Sequence, residues 1–549
     1  MSTKSGIDTE KIVLISILAI SLALRLWDFY QVPILRSDEL LEDIRGFEFY
    51  RGTVTLLNIA PFNGAYFNYL LGTAFFFCGL HPHLPRLLTS ILGIFGVLMT
   101  YAFAKVVFNR KTAFLSAILL ATNPGEILIS SHVGWAHSLA TPLIMMSLYF
   151  FSSALKKNKY WLLCGTALGL GLALQSHLVA VFTIATLILY LAMRRNLFSI
   201  LRMKVTWIAV LIFLLAYGNM IYLLVTSETT PLESAMNRSA FDDILEEDYE
   251  RYFVNLEYIS RDYLRMTGTL IFERHMDEMI VNPDFTLYLI LMSVSVLWGV
   301  YKHLDGHKII LIHQVLGILG LPLFLRYQPS LYPRPFMSNY IVYLLPNTFI
   351  MISSLVVGVS SRFTLIDLLK DLKEKRLKRS WRLFFSIFMV ALLCYLTLSP
   401  VVRLYTYYQV SYENGWINGP LIETAMYMRS VTKPSDMILI SEIMPSRRIS
   451  HRILHKLIFL MTEESLGYAY ILNYDLEKTV EELRIFEERY KTQDRYYIFT
   501  PMSRKDYSDE IHFLKTYPSI KPIKTIFGPN NEPFLNIYRI EKVILPSGS

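Results

Sequence analysis

A chain of 549 residues in which 53% are hydrophobic, 14% aromatic and only 18% charged lies outside the composition of soluble proteins, which carry about 25% charged residues. That excludes a disordered chain and argues against a soluble enzyme; long apolar runs point instead to a polytopic membrane protein. The net charge of +8 takes its meaning from where the basic residues fall.

Eleven apolar segments approach the ~20 residues that cross a bilayer. They are 11–29, 84–108, 112–130, 138–155, 160–176, 178–193, 205–226, 284–301, 308–326, 339–359 and 382–400. The first is read as an uncleaved span, because Leu26, Trp27, Asp28, Phe29 and Tyr30 follow where a signal cleavage site needs small residues. Lys and Arg favour the cytoplasmic side. With the N-terminus inside, every second loop is basic: Arg110 and Lys111; Lys156, Lys157 and Lys159; Arg194, Arg195, Arg202 and Lys204; Lys302 and Lys308; and the lysine- and arginine-rich loop 360–382. The large outer loop 227–283 instead holds thirteen acidic residues against five arginines. The basic run is therefore a topology signal with attraction to anionic lipid, not a nucleic-acid surface.

One apolar run, 64–80, is left out of the count. As a span it would invert every later loop, so it is read as a helix lying on the outer membrane surface. The C-terminus then falls outside, and a transmembrane domain, 1–400, precedes an extracytoplasmic domain, 401–549. Strand-like runs at 436–441, 495–500 and 534–540 alternate there with helical patterns at 419–431 and 475–490, which makes it α/β. The fold class is a polytopic α-helical membrane protein of about eleven spanning helices with a C-terminal extracytoplasmic α/β domain. Asn237-Arg238-Ser239 is a glycosylation sequon on the expected outer face. Cys78, Cys164 and Cys394 all lie in apolar runs and show neither a disulfide framework nor metal-ligand spacing. No internal repeat or low-complexity segment is present.

The first outer loop begins Arg36-Ser37-Asp38-Glu39, and Leu40, Leu41, Ile44 and Phe47 continue it as an amphipathic helix. Taken alone, the two carboxylates read best as a helix cap that favours the dipole. The motifs farther along the chain, and their order, change that weighting. Pro61-Phe62-Asn63-Gly64-Ala65-Tyr66 opens the surface helix. Leu84-Pro85-Arg86-Leu87-Leu88 starts a span, Phe108-Asn109-Arg110-Lys111 makes a short basic turn, and Ala121-Thr122-Asn123-Pro124 comes late in the next span.

Over about residues 10–200 this series resembles the membrane glycosyltransferases of the GT-C superfamily, most of all the branch of protein O-mannosyltransferases and the lipid A aminoarabinose transferase. The resemblance implies a sugar donor carried on polyprenyl phosphate and delivered from within the bilayer. It implies a protein, lipid or glycan acceptor outside the cytoplasm, and inversion at the anomeric centre. It places an acidic residue of the first outer loop beside the acceptor hydroxyl: Asp38, with Glu39 as its neighbour. A carboxylate there takes the proton of a weak hydroxyl nucleophile, and cationic groups stabilise the departing phosphate.

The second outer loop departs from the family pattern of an arginine followed by an acid. It reads Ser130-Ser131-His132-Val133-Gly134-Trp135-Ala136-His137-Ser138, with His137 where the acid is expected and His132 near the arginine. A site of two carboxylates on a metal thereby loses one acid, while a histidine–carboxylate site for a divalent ion stays open. Trp135 either stacks on a sugar or belongs to the interfacial belt. For the phosphate, Arg326 and Arg334 stand in the loop Arg326-Tyr327-Gln328-Pro329-Ser330-Leu331-Tyr332-Pro333-Arg334-Pro335, where the family places a basic residue near tyrosine and prolines; the bland alternative is snorkelling to headgroups. The rival readings are a polytopic transporter or lipid flippase, and a membrane scaffold that presents the C-terminal domain.

Overall fold

The computed structural model describes residues 9–33, 35–58, 63–226, 250–268, 284–301, 305–324, 338–360, 378–413, 417–433, 436–441, 451–462, 469–472, 494–499, 510, 513–514, 517–528 and 531–541. The chain divides into two units. One holds residues 1–29, 54–70 and 86–407, and the other residues 30–53, 71–85 and 408–549.

The first unit is helical. Its helices include α1 (Thr9–Leu26), α4 (Leu84–Val107), α5 (Arg110–Thr122), α6 (His137–Lys157), α7 (Leu163–Ser176), α8 (Ala180–Met193), α9 (Lys204–Ala216), α10 (Gly218–Thr226), α11 (Glu250–Gly268), α12 (Asp284–Tyr301), α13 (Asp305–Phe324), α14 (Leu345–Ser360) and most of α15 (Lys378–Glu413); α2 (Ser37–Tyr50) belongs to the second unit and α3 (Tyr66–Cys78) is shared between them. Among the described residues, five stretches are long and apolar enough to cross a bilayer singly: Leu84–Val107, His137–Lys157, Asp305–Leu323, Val342–Ser360 and Ile387–Glu413. Two bent pairs bring that to seven, Arg110–Thr122 with Pro124–Ser131 and Lys204–Ala216 with Gly218–Thr226. The expected eleven spans therefore rest partly on shorter apolar helices, such as Tyr160–Ser176 and Ala180–Met193, and on α1, which carries Glu10, Lys11 and Arg25.

Helix ends gather by side. At one end Glu10 pairs with Lys105 and Arg110, Lys156 Nζ donates to Val106 O at 2.6 Å, and Arg194 meets Asp305 at 3.4 Å. At the other, Arg86 Nη1 donates to Phe29 O at 3.1 Å and Gly64 N donates to Gln175 O at 2.8 Å. Residues 64 and 86 thus lie at one end, and the helix between them, at 13 residues, spans only ~20 Å. The apolar run 64–80 therefore starts and returns on one side.

The acidic stretch 227–283, read from sequence as a loop, contains α11. Asn255, Ile259, Tyr263, Met266 and Thr267 repeat at helical spacing and are buried. Tyr263 OH donates to Gln314 Oε1 at 3.0 Å, so a helix of the expected outer loop packs against α13. The stripe was hidden among carboxylates, which dominate the composition of that stretch.

In the second unit a five-stranded sheet runs in the order β2–β1–β3–β5–β4. Its strands are β1 (Met437–Ser441), β2 (Ala469–Leu472), β3 (Arg495–Phe499), β4 (Lys524–Phe527) and β5 (Pro533–Ile540). β1 pairs parallel with both β2 and β3, while β5 pairs antiparallel with β3 and β4. Leu439, Tyr497, Phe499, Phe513 and Tyr538 form an aromatic core on the sheet. Helix α16 (Gly419–Val431) packs on α17 (His451–Thr462), and α17 packs on α2. The three strands and the helix 419–431 expected from sequence are present; the expected helix 475–490 and the sequon at Asn237 lie outside the described residues.

Candidate active site

α2 begins at Ser37 and separates the two carboxylates by role. Glu39 is fully buried, and its Oε2 accepts from the backbone N of Arg36 at 3.3 Å, so it ties down the helix start. Asp38 is exposed in the same turn. Leu40 and Phe47 are buried beneath the helix, and the buried set continues with Glu42 and Asp43. Sequence reasoning missed those two acids, although their spacing from Glu39 puts them on neighbouring positions of the same helix.

In the helical unit, Arg25 of α1 is wholly buried and ion-paired to Glu126, itself 2% exposed. The guanidinium also donates from Nε to Ser131 Oγ at 3.1 Å and from Nη1 to Ser21 Oγ at 2.6 Å and Ala121 O at 3.2 Å. Glu126 Oε1 accepts from Ser130 Oγ at 2.6 Å. The pair stands where α5 breaks: Asn123 caps the new turn by accepting from Glu126 N at 2.9 Å, Pro124 comes next, and the axis bends by 56°. Ile127–Ser131 then form a π-helical turn closed by His132 N donating to Ile127 O at 2.9 Å. A π turn inserts one extra residue and rotates the residues after it, which is why such turns recur at functional sites. Gly93 of α4 leaves the room needed: a Cβ there would lie 2.7 Å from Arg25 Nε.

The bend delivers the histidine loop. His132 is buried, and its Nε2–H donates to Arg25 O at 2.9 Å, so this nitrogen is committed to the protein. Trp135 is buried and donates from Nε1 to Ile129 O at 3.1 Å. His137 is half-buried, its ring 4.8 Å from Trp135, 4.4 Å from His177 and 5.9 Å from Tyr340. His177 Nδ1 accepts from Val179 N at 3.1 Å, which puts the proton of the neutral ring on Nε2.

The Asn63 segment reaches the same place through α7. Leu57 and Gly64 form a bridge, Asn58 N donates to Asn63 O at 2.9 Å, and Gly64 N donates to Gln175 O, two residues before His177. Gly64 leaves room for the Gln175 amide there, since a Cβ would meet Gln175 Oε1 at 2.7 Å and push it aside. Tyr66 is half-buried at the start of α3. Asn63 Oδ1, Gln175 Oε1 and His177 Nε2 are buried polar atoms without a hydrogen-bond partner among the described residues. Such atoms are rare and costly in a finished fold.

The structure therefore brings Asn63, Trp135 and His137 into one neighbourhood with Gln175, His177 and Tyr340, and gives His132 to the bend. Arg334 and Arg326 lie outside the described residues. No three described His, Cys, Asp or Glu side chains stand close enough to share a metal ion. The sequence signal for the missed pair was two charges, Arg25 and Glu126, inside segments read as spans, where an ionisable residue is a site candidate by default.

The helical unit thus holds the buried polar atoms of Asn63, Gln175 and His177 among apolar helices. Residues 67–222, less than a third of the chain, match the family model described as dolichyl-phosphate-mannose-protein mannosyltransferase. Among solved structures, ArnT from Cupriavidus metallidurans bound to undecaprenyl phosphate superposes with a TM-score of 0.55 at 12% identity, covering 96% of this chain and 97% of that one. The oligosaccharyltransferase AglB from Archaeoglobus fulgidus, in complex with an inhibitory peptide and a dolichol-phosphate, gives 0.53 at 14% identity, covering 89% of this chain and 69% of that one. No curated protein sequence matches the chain. The resemblance to the GT-C membrane glycosyltransferases thus holds in both sequence and fold.

Proposed function

We propose that this protein transfers one sugar from a polyprenyl-phosphate carrier to an acceptor on the extracytoplasmic side of the membrane, with inversion at the anomeric carbon. The observation that carries the reading is the division of labour in α2: Glu39 serves the helix start, and Asp38 is left exposed, with no bond to make among the described residues. A carboxylate so placed fits a general base. The acceptor hydroxyl attacks the anomeric carbon, its proton passes to Asp38, and the bond to the phosphate oxygen breaks with the electron pair leaving on the polyprenyl phosphate. Arg334, with Arg326 second, is assigned to that phosphate, since the leaving group carries more charge than the diester and a guanidinium offers paired donors.

Asn63 Oδ1 and Gln175 Oε1 are acceptors, and His177 Nε2–H is a donor. Sugar hydroxyls, which both donate and accept, suit this set. His137, Trp135 and Tyr66 are assigned to the same vicinity. His132 Nε2 donates to Arg25 O, so that nitrogen is not offered to a divalent ion. The N-terminus is assigned to the cytoplasm and the C-terminal α/β unit to the outside, which fits the gathering of basic loop residues at one end of the helical unit.

The test is a reconstitution. Purified protein in vesicles with a polyprenyl-phosphate hexose and an extract of extracytoplasmic glycan, lipid and protein acceptors should release polyprenyl phosphate as product of opposite anomeric configuration accumulates. Donor that changes leaflet without being consumed would identify a flippase instead.

A further inference from the structure

Asn418 opens α16 at the position where an asparagine ordinarily caps its own helix. It makes no such cap. Fully buried, it spends its whole side chain on a segment nearly four hundred residues earlier: Nδ2 donates to Tyr30 O at 2.9 Å and Pro33 O at 3.0 Å, and Oδ1 accepts from Leu35 N at 2.8 Å. Two backbone bonds reinforce the join. Asn418 N donates to Gln31 O at 3.1 Å, and Gly419 N donates to Gln31 Oε1 at 2.7 Å. A Cβ on Gly419 would come within 3.1 Å of Gln31 Oε1, so the close approach favours glycine.

Leu35 is three residues before Asp38. The described residues of 30–36 lie in no helix or strand that could satisfy their backbone, so Asn418 and Gln31 supply what secondary structure does not. Farther along, Gly46 of α2 packs on Leu71, and α17 packs on α2. The sequence around Asp38 is thereby built into the same unit as the C-terminal sheet.

We propose that the C-terminal α/β unit positions Asp38: Asn418, with Gln31, fixes the lead-in to α2 and so sets where the carboxylate stands. This rests on Asp38 as the base. Asn418 touches no reacting atom and is a positioning residue. The unit then has a duty in the reaction itself.

The experiment pairs hydrogen exchange with kinetics on the full-length protein in nanodiscs. In Asn418→Ala, exchange in the peptide covering 30–40 should rise at least about tenfold, because the Leu35 amide loses its acceptor. Turnover should fall by up to about a hundredfold, the scale of a small misplacement of a reacting group, with KM for the donor unchanged. Asn418→Asp keeps the acceptor for Leu35 but cannot donate to Tyr30 and Pro33, so it should recover part of both. Gln31→Ala should move both readouts the same way by less, and serves if Asn418→Ala fails to fold. Added to Asp38→Asn, whose turnover is already at background, Asn418→Ala should still raise exchange at 30–40, because the segment is held by Asn418 and not by the carboxylate. Unchanged exchange at 30–40 or unchanged turnover in Asn418→Ala would overturn the proposal. Full turnover in Asp38→Asn alone would instead remove the base assignment, and the exchange data would still report whether Asn418 holds the segment.

Discussion

Replacing Arg25 with methionine should be among the most damaging single changes in the helical unit. It leaves Glu126 buried with its carboxylate supported by Ser130, and it strips donors from Ala121 O, Ser21 Oγ and Ser131 Oγ. Breaking a buried pair from one side costs about 3–5 kcal/mol, mostly the stranded charge, whereas replacing both partners by apolar groups is neutral or stabilising by about 1–4 kcal/mol. Arg25→Met should therefore melt far below the parent, and Arg25→Met with Glu126→Leu should recover most or all of the loss. Turnover should not recover with it, because Ser130 and Ser131 have lost the partners that hold the π turn leading to His132 and His137. Gly93→Ala, which drives a methyl into Ser131 Oγ and Arg25 Nε, should sit between, at about 1–3 kcal/mol. The assay is thermal unfolding in detergent beside donor consumption in vesicles. A double variant as unstable as Arg25→Met would refute the stranded charge as the main source of the loss. A double variant with full turnover would refute the link from the pair to the histidine loop.

Further outcomes follow from the same geometry. Gly64→Ala should displace the Gln175 amide and raise KM for the donor sugar with little change in melting, measured by steady-state kinetics. Arg334→Ala should lose about 2–4 kcal/mol of transition-state stabilisation while Arg334→Lys keeps part of it, read from turnover and donor dependence at saturating acceptor; unchanged values in Arg334→Ala would return this arginine to the headgroups. In a background without Cys78, Cys164 and Cys394, single cysteines at 109–111 should be labelled only from the cytoplasmic side; labelling there from outside alone would invert the topology.

How much of this was legible beforehand depends on the kind of signal. β1, β3, β5 and α16 were readable because apolar runs with turn residues at their ends leave few alternatives. The edge strands β2 and β4 escaped, at four residues each, since edges are kept short and weakly patterned. Hydropathy alone would have made 64–80 a span, and only the charge of the later loops argued against it. α11 was missed because one buried stripe cannot outweigh the acidic composition around it. At the site, Asp38 and Glu39 were named together, and the structure alone distinguishes the buried partner of Arg36 N from the exposed carboxylate. Arg25 and Glu126 each stand inside a segment read as a span, but their pairing joins residues 101 positions apart, which local pattern does not encode. Gln175 falls at the end of one apolar segment and His177 between it and the next, and neither carried a spacing signal before the bond from Gly64 N to Gln175 O placed them beside the Asn63 segment.

The most direct test of Asp38 as the base is donor consumption by purified Asp38→Asn beside the parent protein, in vesicles loaded with labelled polyprenyl-phosphate sugar. Asparagine preserves size and removes the charge, and Glu39 continues to hold the helix start, so the variant should insert and melt like the parent. Release of polyprenyl phosphate should fall to background in Asp38→Asn, while Glu39→Gln, altered in stability, should retain measurable transfer. Near-parental release in a folded Asp38→Asn would contradict the assignment, and the base would have to be sought on another residue.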